Sequence, residues 1–363
     1  MRKAAFLVNE HKDWYSISEI SANIRSELND LVDIIPISDG GDGLTEALLF
    51  FDKFEQFNFQ TTNCEGFPCD VSLALKIIDG KRIGYFETAT VLGRFNSAQI
   101  NNYSFNSKGL CKVFQKAKIL KLDKLIIGLG GSKTSDAGLG LMVGMGWRVY
   151  LKDGSELRET SNIGFHTLSE IARIDGNNQL LDYEVEVWSD TDVLLYGVKG
   201  QAWVFGKQKG MNKAEINLYD RGLQNLAGIY QNYFFKDVQK PRMGGSGGIA
   251  STLNVMFNCQ VYSGSEQFFT KFIEQRLRKY EKIIFTEGKF DETSQYGKVG
   301  SKVIRFAHIN NKKLIGFFAL DSSSDGETFE RYSYLKSGWY GSKSENKKLL
   351  VDSLKLLKKR LLD

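Results

Sequence analysis

Short apolar runs alternate along the chain with longer segments whose apolar residues recur at helical spacing. Several runs are apolar on both faces, as in strands that helices cover on each side. The runs lie at residues 4–8, 31–37, 83–88, 124–129, 184–188, 201–205, 282–286 and 313–319. The helical segments are 16–28, 45–54, 108–120, 214–234 and 345–362. This alternation predicts an α/β fold with a largely parallel sheet.

Two regions add detail to this pattern. In the segment 345–362 the spacing predicts one apolar helix face, formed by Leu349, Leu350, Leu354, Leu357 and Leu361. Residues 60 to about 106 follow a more β-like rhythm, which predicts a crossing into a second domain. A length of 363 residues is also typical of two domains, each with its own core.

Composition and charge exclude several classes of protein. Hydrophobic residues make up 42% of the chain, and 48 basic against 43 acidic side chains give a net charge of +5, without the concentrated basic face that nucleic-acid binders show. The four cysteines form no CxxC pair, so we expect buried, reduced thiols. The apolar start is too short for a secretory signal and no window is long enough to span a membrane, so we expect a cytoplasmic protein.

Many of the 36 glycines fall in short stretches that follow the apolar runs. The first, Asp39-Gly40-Gly41-Asp42, lies between the run 31–37 and a predicted helix, where ligands bind in open α/β sheets. Its glycines would let backbone N–H groups approach an anion, and its aspartates could hold a metal ion or accept a hydroxyl proton. A tight turn with an Asp helix cap is the alternative interpretation.

The second stretch, 128–136, joins the run 124–129 to a further predicted helix. Its sequence is Gly-Leu-Gly-Gly-Ser-Lys-Thr-Ser-Asp, which contains neither the P-loop pattern nor GxGxxG. Backbone N–H groups of Gly130 and Gly131, the hydroxyls of Ser132 and Thr134 and the cation of Lys133 would suit a phosphate at a helix N-terminus.

The third polar loop follows the run 282–286 and carries Glu287, Asp291 and Lys298. A solvated loop with compensating charges is the alternative for this loop alone. All three loops together offer the carboxylates, hydroxyls and cations that phosphoryl transfer requires, because that chemistry depends on positioning and charge neutralisation.

Taken in order, these motifs resemble the glycerate kinase family of the bacterial type that makes 2-phosphoglycerate. Asp39-Gly-Gly-Asp42-Gly is similar to that family's Asp-Gly-Gly-Glu-Gly-Thr, and the stretch 128–136 to its Gly-Leu-Gly-Gly-Ser motif with a following Asp. Three further similarities lie at Asp190 with Phe205-Gly-Lys-Gln-Lys209-Gly, at the glycine loop 244–248, and at Thr286-Glu287-Gly288 with Asp291 and Lys298.

The resemblance implies the glycerate kinase type I fold, with two α/β domains and an active-site cleft between them. The first would be Rossmann-like and discontinuous, formed by 1–70 and 265–363, and the second would be the insert 71–264. ATP and Mg²⁺ would be the cofactors and a small hydroxy acid the substrate. We keep a homodimer as a candidate assembly, and predict binding to neither nucleic acid nor membrane.

The resemblance also suggests a role for each motif residue. Asp39 or Asp190 would be the catalytic base, and nothing in the sequence separates the two. The metal ligands would be Asp42, Asp136 and Asp291. Substrate and phosphate would contact Lys12, Gly40, Gly41, Gly130, Gly131, Ser132, Thr134, Lys209, Glu287 and Lys298. The lysines could equally be surface residues, and the three histidines receive no role.

The chain also departs from the family pattern. The family has Asp-Ser-Phe-Lys-Gly-Ser near its start, where this chain has Asn9-Glu-His-Lys12-Asp-Trp, and the family's Arg in the last loop is Lys289. An Arg-to-Lys exchange changes how a carboxylate is held, so catalytic type transfers more safely than substrate. Two alternatives therefore stay open: a small-molecule kinase of another class, since Gly128-Leu-Gly-Gly-Ser132 resembles a Gly-Leu-Gly-Ser-Ser phosphate loop, and a catalytically silent relative that binds nucleotide or sugar acid.

Overall fold

The computed structural model describes residues 3–11, 14–93, 105–158, 163–176, 181–290, 298–322, 329–335 and 342–362. The strands are β1 Ala4–Val8, β2 Val32–Pro36, β3 Glu55–Thr62, β4 Pro68–Ile78, β5 Lys81–Glu87, β6 Lys124–Leu129, β7 Arg148–Leu151, β8 Ile171–Asp175, β9 Glu184–Ser189, β10 Val261–Ser263, β11 Lys282–Phe290, β12 Lys313–Asp321 and β13 Glu330–Ser333. The α-helices are α1 Ile17–Leu28, α2 Leu44–Leu49, α3 Ala89–Leu92, α4 Cys111–Ile119, α5 Leu139–Gly144, α6 Phe165–Leu168, α7 Gln201–Phe205, α8 Lys213–Phe234, α9 Ile249–Phe257, α10 Gly264–Phe268, α11 Glu274–Leu277, α12 Val299–Ile309 and α13 Lys343–Leu362. These elements confirm the predicted α/β fold class.

The chain divides by its internal contacts into two compact units. The first unit comprises Met1–Asp39, Glu46–Asp52 and Ser265–Asp363, and the second comprises Gly40–Thr45 and Lys53–Gly264. The sequence-based boundary after residue 70 puts β3 in the first domain, whereas β3 pairs with β4 within the second unit. The predicted domain limits otherwise stay a prediction.

The first unit is built on a parallel five-stranded sheet in the order β13-β12-β11-β1-β2. Every residue of the interior strand β1 is buried, because its sequence, Ala-Ala-Phe-Leu-Val, is apolar on both faces. Helix α13 buries Leu350, Leu354, Leu357 and Leu361 as its spacing predicts. The prediction for Leu349 is wrong: its side chain is 45% exposed, since it lies beside the buried stripe.

The second unit is built on a six-stranded mixed sheet in the order β10-β9-β6-β5-β4-β3, with a separate two-stranded ribbon of β7 and β8. Strands β10, β9, β6 and β5 run parallel to one another, whereas the pairs β5–β4 and β4–β3 are antiparallel. Leu125 and Ile127 of β6 pack into a core beneath the sheet. A second core forms around α8, where Tyr219, Leu223 and Tyr230 are fully buried.

Most predicted elements lie within a few residues of their observed bounds, and the run 201–205 is the exception. It was predicted as a strand and is the helix α7, preceded by Gly200 and followed by Gly206. Gln201 and Ala202 are buried while Val204 is 46% exposed, so the run has one inner helical face. A run this short, with four apolar residues out of five, fits a strand or a buried helix equally well by period.

All four cysteines lie within the described residues. Cys64, Cys69, Cys111 and Cys259 are free thiols, as predicted, although Cys69 is only half-buried. Burial raises the pKa of Cys64, Cys111 and Cys259 to about 12, so these thiols are protonated at neutral pH. Among the described helices, none combines the length and apolar character needed to cross a membrane.

Candidate active site

In both units the polar motifs begin where parallel strands end. In the first unit, Asp39 follows β2 and Glu287 lies near the carboxyl end of β11. In the second unit, the glycine loop follows β6 and Asp190 follows β9, and the backbone N–H of Asp190 donates to the Leu129 carbonyl at 3.2 Å. Since the carboxyl ends of parallel strands share one sheet edge, each unit gathers its motif residues at one edge.

Asp39 interacts with the start of helix α12. Its Oδ1 accepts a hydrogen bond from the backbone N–H of Val299 at 2.6 Å, and Val299 is the first residue of that helix. A carboxylate at a helix N-terminus satisfies an otherwise unpaired donor and is stabilised by the helix dipole. Lys298, half-buried, is the residue that precedes the helix. The capping geometry therefore brings Asp39 and Lys298 together, although 259 positions of sequence separate them.

Glu287 approaches the same helix from strand β11. Its side chain is buried, and its Oε1 lies so close to Gly300 that a Cβ atom on that glycine would collide with it. Gly300 is in the first turn of α12. Two carboxylates, those of Asp39 and Glu287, thus lie at the N-terminal turn of one helix.

His11 takes part in this arrangement, although sequence reasoning gave it no role. The imidazole is fully buried, with Nδ1 2.6 Å from the Tyr334 hydroxyl and Nε2 2.9 Å from Thr286 Oγ1. Burial lowers the pKa of His11 to about 3, so the ring is neutral and donates from one nitrogen while accepting at the other. Thr286 immediately precedes Glu287, so His11 fixes the strand that carries this carboxylate. The sequence feature that could have pointed to His11 is its position between Asn9 and Lys12, in the segment that departs from the family motif.

In the second unit, the predicted phosphate-binding glycines form a close backbone junction. A Cβ atom on Gly41 would lie 2.7 Å from Gly130 Cα, and one on Gly130 would lie 2.6 Å from the Asp42 nitrogen. Asp42 Oδ1 accepts a hydrogen bond from the Gly131 N–H at 2.7 Å. Gly40 has a φ of +85°, a backbone conformation that favours glycine. Backbone geometry thus explains Gly40, Gly41 and Gly130, and these contacts tie the Asp42 loop to the loop after β6.

Asp136 is buried and is held by protein groups. Its Oδ2 accepts hydrogen bonds from the Ser107 N–H at 2.9 Å, the Ser107 hydroxyl at 2.7 Å and the Gly140 N–H at 3.0 Å. Its Oδ1 accepts from the Gly138 N–H at 3.3 Å. A metal ion would have to displace these donors, so the geometry favours a role in fixing the loop and the start of α5.

Hydroxyl and ammonium groups meet around Thr134. The Ser132 and Thr134 hydroxyls are 2.9 Å apart, and the Lys209 ammonium group donates to the Thr134 carbonyl at 2.5 Å. Burial lowers the pKa of Lys209 to about 8, against an opposing effect of nearby Asp136. Gly247, with a φ of +74°, brings the loop before α9 close to the Lys209 Nζ.

Four further residues were predicted for the site, two lysines and two aspartates. Lys133 was expected to add a cation to the phosphate cradle, but its buried ammonium group forms an ion pair with Glu65 at 2.9 Å. Asp190 is exposed at the end of β9. Lys12 and Asp291, predicted for substrate and metal binding, lie outside the described residues.

The described residues contain no cluster of three or more His, Cys, Asp or Glu side chains that could hold a metal ion by themselves. This arrangement is compatible with Mg²⁺, which usually takes one or two protein carboxylates and completes its shell with substrate phosphates and water. The catalytic, phosphate-binding and metal roles of the motif residues stay predictions.

In each of the two α/β units, parallel strands end in loops that bear carboxylate, hydroxyl or ammonium groups, which are the groups that phosphoryl transfer requires. The chain belongs to the glycerate kinase family, whose family model matches residues 12–330. The resemblance seen in the sequence is thereby confirmed, and the protein is a kinase, a phosphotransferase with an alcohol group as acceptor.

Several known proteins are similar to this chain. A Bacillus cereus glycerate kinase is 28% identical over 271 residues, covering 73% of this chain and 70% of the relative. An Escherichia coli glycerate 2-kinase is 26% identical over 328 residues, covering 86% and 84%. The crystal structure of a protein assigned as glycerate kinase 2 from Salmonella typhimurium LT2 superimposes with a TM-score of 0.73 at 23% identity, covering 99% and 98%, and supports the fold.

Proposed function

We propose that this kinase transfers the γ-phosphoryl group of ATP, with Mg²⁺, to the 2-hydroxyl of glycerate or of a closely related small hydroxy acid. The observation that carries the proposal is the ordered set of loop motifs from Asp39 to Lys298, in a chain whose family model spans 12–330. The E. coli relative is named a glycerate 2-kinase, which supports phosphorylation at position 2.

The phosphate groups would bind at the loop after β6. Ser132 is half-buried and therefore open to a ligand, whereas the Thr134 hydroxyl is buried behind it and orients the Ser132 hydroxyl at 2.9 Å. Lys209, protonated below about pH 8, adds positive charge beside Thr134. We propose that Ser132 and Lys209 contact phosphate directly and that Thr134 positions them. Gly40, Gly41 and Gly130 would act by permitting the close loop packing.

The proton of the acceptor hydroxyl would pass to a carboxylate as the oxygen attacks phosphorus. Asp39 is one candidate, because the Val299 N–H holds one of its oxygens at 2.6 Å and so fixes the orientation of the whole group. Asp190, exposed at the end of β9, is the other. Glu287, whose side chain reaches the first turn of α12 from β11, and Lys298, which precedes that helix, would position the acid substrate beside Asp39.

Magnesium ions would enter with the nucleotide. Of the described residues predicted as metal ligands, Asp42 fits this role better than Asp136, because Asp42 is partly exposed and the Asp136 carboxylate already accepts four hydrogen bonds from protein donors. When bound, the ion would neutralise charge on the phosphate oxygens. The contribution of the chain is to hold the Asp42 loop rigid through the hydrogen bond from the Gly131 N–H.

An ADP-release assay with a panel of acceptors tests the proposal. The panel contains D-glycerate, L-glycerate, D-lactate, glycolate and glycerol, each with and without Mg²⁺, and ³¹P and ¹³C NMR identify the phosphorylated carbon. We expect Mg²⁺-dependent turnover with D-glycerate and a product phosphorylated at carbon 2.

Other outcomes would separate the alternatives. Turnover with glycerol and with no acid would favour a small-molecule kinase of another class. Nucleotide binding without turnover on any acceptor would favour a catalytically silent relative. Because Asn9 and Lys289 depart from the family pattern, a preference for another hydroxy acid would change the substrate and keep the reaction type.

A further inference from the structure

A pocket lies within the first unit, at the amino-terminal ends of β11, β12 and β13. It has a volume of about 570 Å³, and its lining includes Lys282, Lys313, His308, Arg360, Ile315 and Phe329. Glu287 is five residues further along β11 from Lys282, which corresponds to about 16 Å along the strand. The pocket is therefore distinct from the catalytic loops of this unit, which lie at the opposite edge of the sheet.

Two lysines stand side by side at this pocket. Lys282 and Lys313 are the first residues of β11 and β12 and are partners in the parallel register. Neighbouring strands are about 4.8 Å apart, and like charges at such positions repel each other. A bound anion would relieve this repulsion, which is why the pair points to a ligand of negative charge.

The other charged groups of the pocket leave an excess of positive charge. Arg360 adds to the two lysines, and among the described lining residues Glu330 is the one carboxylate. The Glu330 carboxylate already accepts hydrogen bonds from Arg360 Nε at 3.1 and 3.2 Å and from the Tyr332 hydroxyl at 2.5 Å. The C-terminal end of α12 contributes a partial negative charge of about half a unit, which the cations outweigh.

An apolar floor completes the pocket. Ile315 and Ala307 are buried, and Phe329 is half-buried. Ile315 is two residues beyond Lys313 on β12, so both side chains are on the same face of the sheet. A cationic rim above an apolar floor, in a volume of this size, suits a small organic molecule that carries an anionic head group.

We propose that this pocket binds a small phosphorylated metabolite, with its phosphate monoester held by Lys282 and Lys313 and its carbon skeleton resting on Ile315 and Phe329. Ammonium groups are strong donors to phosphate oxygens, and two of them placed side by side match a dianion.

Methyl NMR on the full chain tests the proposal. Isoleucine δ1 methyl groups are labelled, and the Ile315 signal, assigned with Ile315→Val, reports on the pocket while the Ile127 signal reports on the loop after β6. The probes are inorganic phosphate, glycerol 3-phosphate and AMP. We expect each to shift the Ile315 signal with saturation; tighter binding of AMP would identify a nucleotide as the preferred class, and equal binding would identify the phosphate group alone.

A charge-matched pair of variants decides the outcome. In Lys282→Gln/Lys313→Gln the apparent Kd read from Ile315 should rise about tenfold or more, because two charge-assisted hydrogen bonds are lost. Lys81→Gln/Lys152→Gln removes the same charge from exposed positions of the second unit and should leave that Kd unchanged. Thermal unfolding checks that both variants fold. An Ile315 signal that no probe shifts, or one that shifts equally in both variants, would overturn the proposal.

Discussion

His11 Nε2 lies 2.9 Å from Thr286 Oγ1, one residue before the buried carboxylate of Glu287. The other ring nitrogen contacts the Tyr334 hydroxyl at 2.6 Å, so one histidine connects three segments that are remote in sequence. Because the ring is neutral in the folded protein, its contribution to stability depends on pH. A histidine outside every recognised motif thus stabilises the strand that carries a motif carboxylate.

The pH dependence of stability should carry the signature of His11. Its pKa is about 3 when folded and near 6.5 when unfolded, so the unfolded chain binds more protons between these values. The stabilisation is therefore complete above pH 6.5 and is lost as the pH falls toward 3. We expect His11→Gln to flatten the change in the free energy of unfolding between pH 7.5 and 5 by up to about 2 kcal/mol. Urea unfolding at both pH values measures this, and the exposed His166→Gln serves as control. Equal slopes in wild type and His11→Gln would contradict it.

Asp39→Asn should separate catalysis from helix capping. The asparagine Oδ1 can still accept the Val299 N–H, so unfolding should cost no more than about 1 kcal/mol relative to wild type. Loss of the base should lower kcat by about 100-fold or more. Asp39→Ala should lose activity and also destabilise by about a further 1 kcal/mol, since the cap is removed. Turnover close to wild type in Asp39→Asn would remove Asp39 from the chemistry and leave Asp190→Asn as the decisive variant.

Gly130→Ala should disturb the junction between the Asp42 loop and the loop after β6. Its Cβ would lie 2.6 Å from the Asp42 nitrogen and would also collide with Asp42 Oδ1. We expect destabilisation of about 1–3 kcal/mol and a raised KM for the phosphate donor. Gly228→Ala is the matched control: a Cβ there meets nothing within 4 Å on the exposed face of α8, so it should stabilise by about 0.5–1 kcal/mol. The same sign of change in both variants would refute the packing argument.

Donor binding should weaken above pH 8 if Lys209 contacts phosphate. Its lowered pKa, about 8, means that the ammonium group loses its proton as the pH rises through that value. The KM for the phosphate donor should then rise between pH 7 and 9.5, and Lys209→Arg, which keeps its charge, should remove this rise. Steady-state kinetics across this range provide the measurement. A KM that does not vary with pH in the wild type would place Lys209 outside the phosphate site.

The fold could be predicted well where strands are apolar on both faces. The runs 4–8 and 124–129 coincide with β1 and β6, because continuous burial leaves an uninterrupted apolar signal. The prediction of a strand at 201–205 is wrong because a run of five residues, four of them apolar, is too short to show a period. The leucine stripe of α13 was predicted one residue too wide at Leu349, since neighbouring leucines cannot be assigned to a face by spacing alone.

The sequence motifs predicted which loops carry the polar groups. The hydrogen-bond and ion-pair partners of those groups could not be derived from spacing. Asp39 caps a helix that begins 260 residues later, and Asp136 is held by Ser107 from a separate segment. Lys133 was expected at the phosphate because its own loop suggested it, and Glu65 from another loop pairs with it instead. His11 could not be recognised because its partners, Thr286 and Tyr334, become neighbours only after folding.

The position of β1 has a consequence for how the chain folds as it is made. Strand β1 lies between β2, which follows soon after it, and β11, whose paired residues begin at Ile283. At ordinary rates of synthesis the ribosome needs on the order of tens of seconds to reach that residue. By then residues 53–264 of the second unit are complete and able to fold. The apolar edge of β1 stays without its β11 partner throughout that interval, and an unpaired strand edge of this kind favours aggregation of the nascent chain.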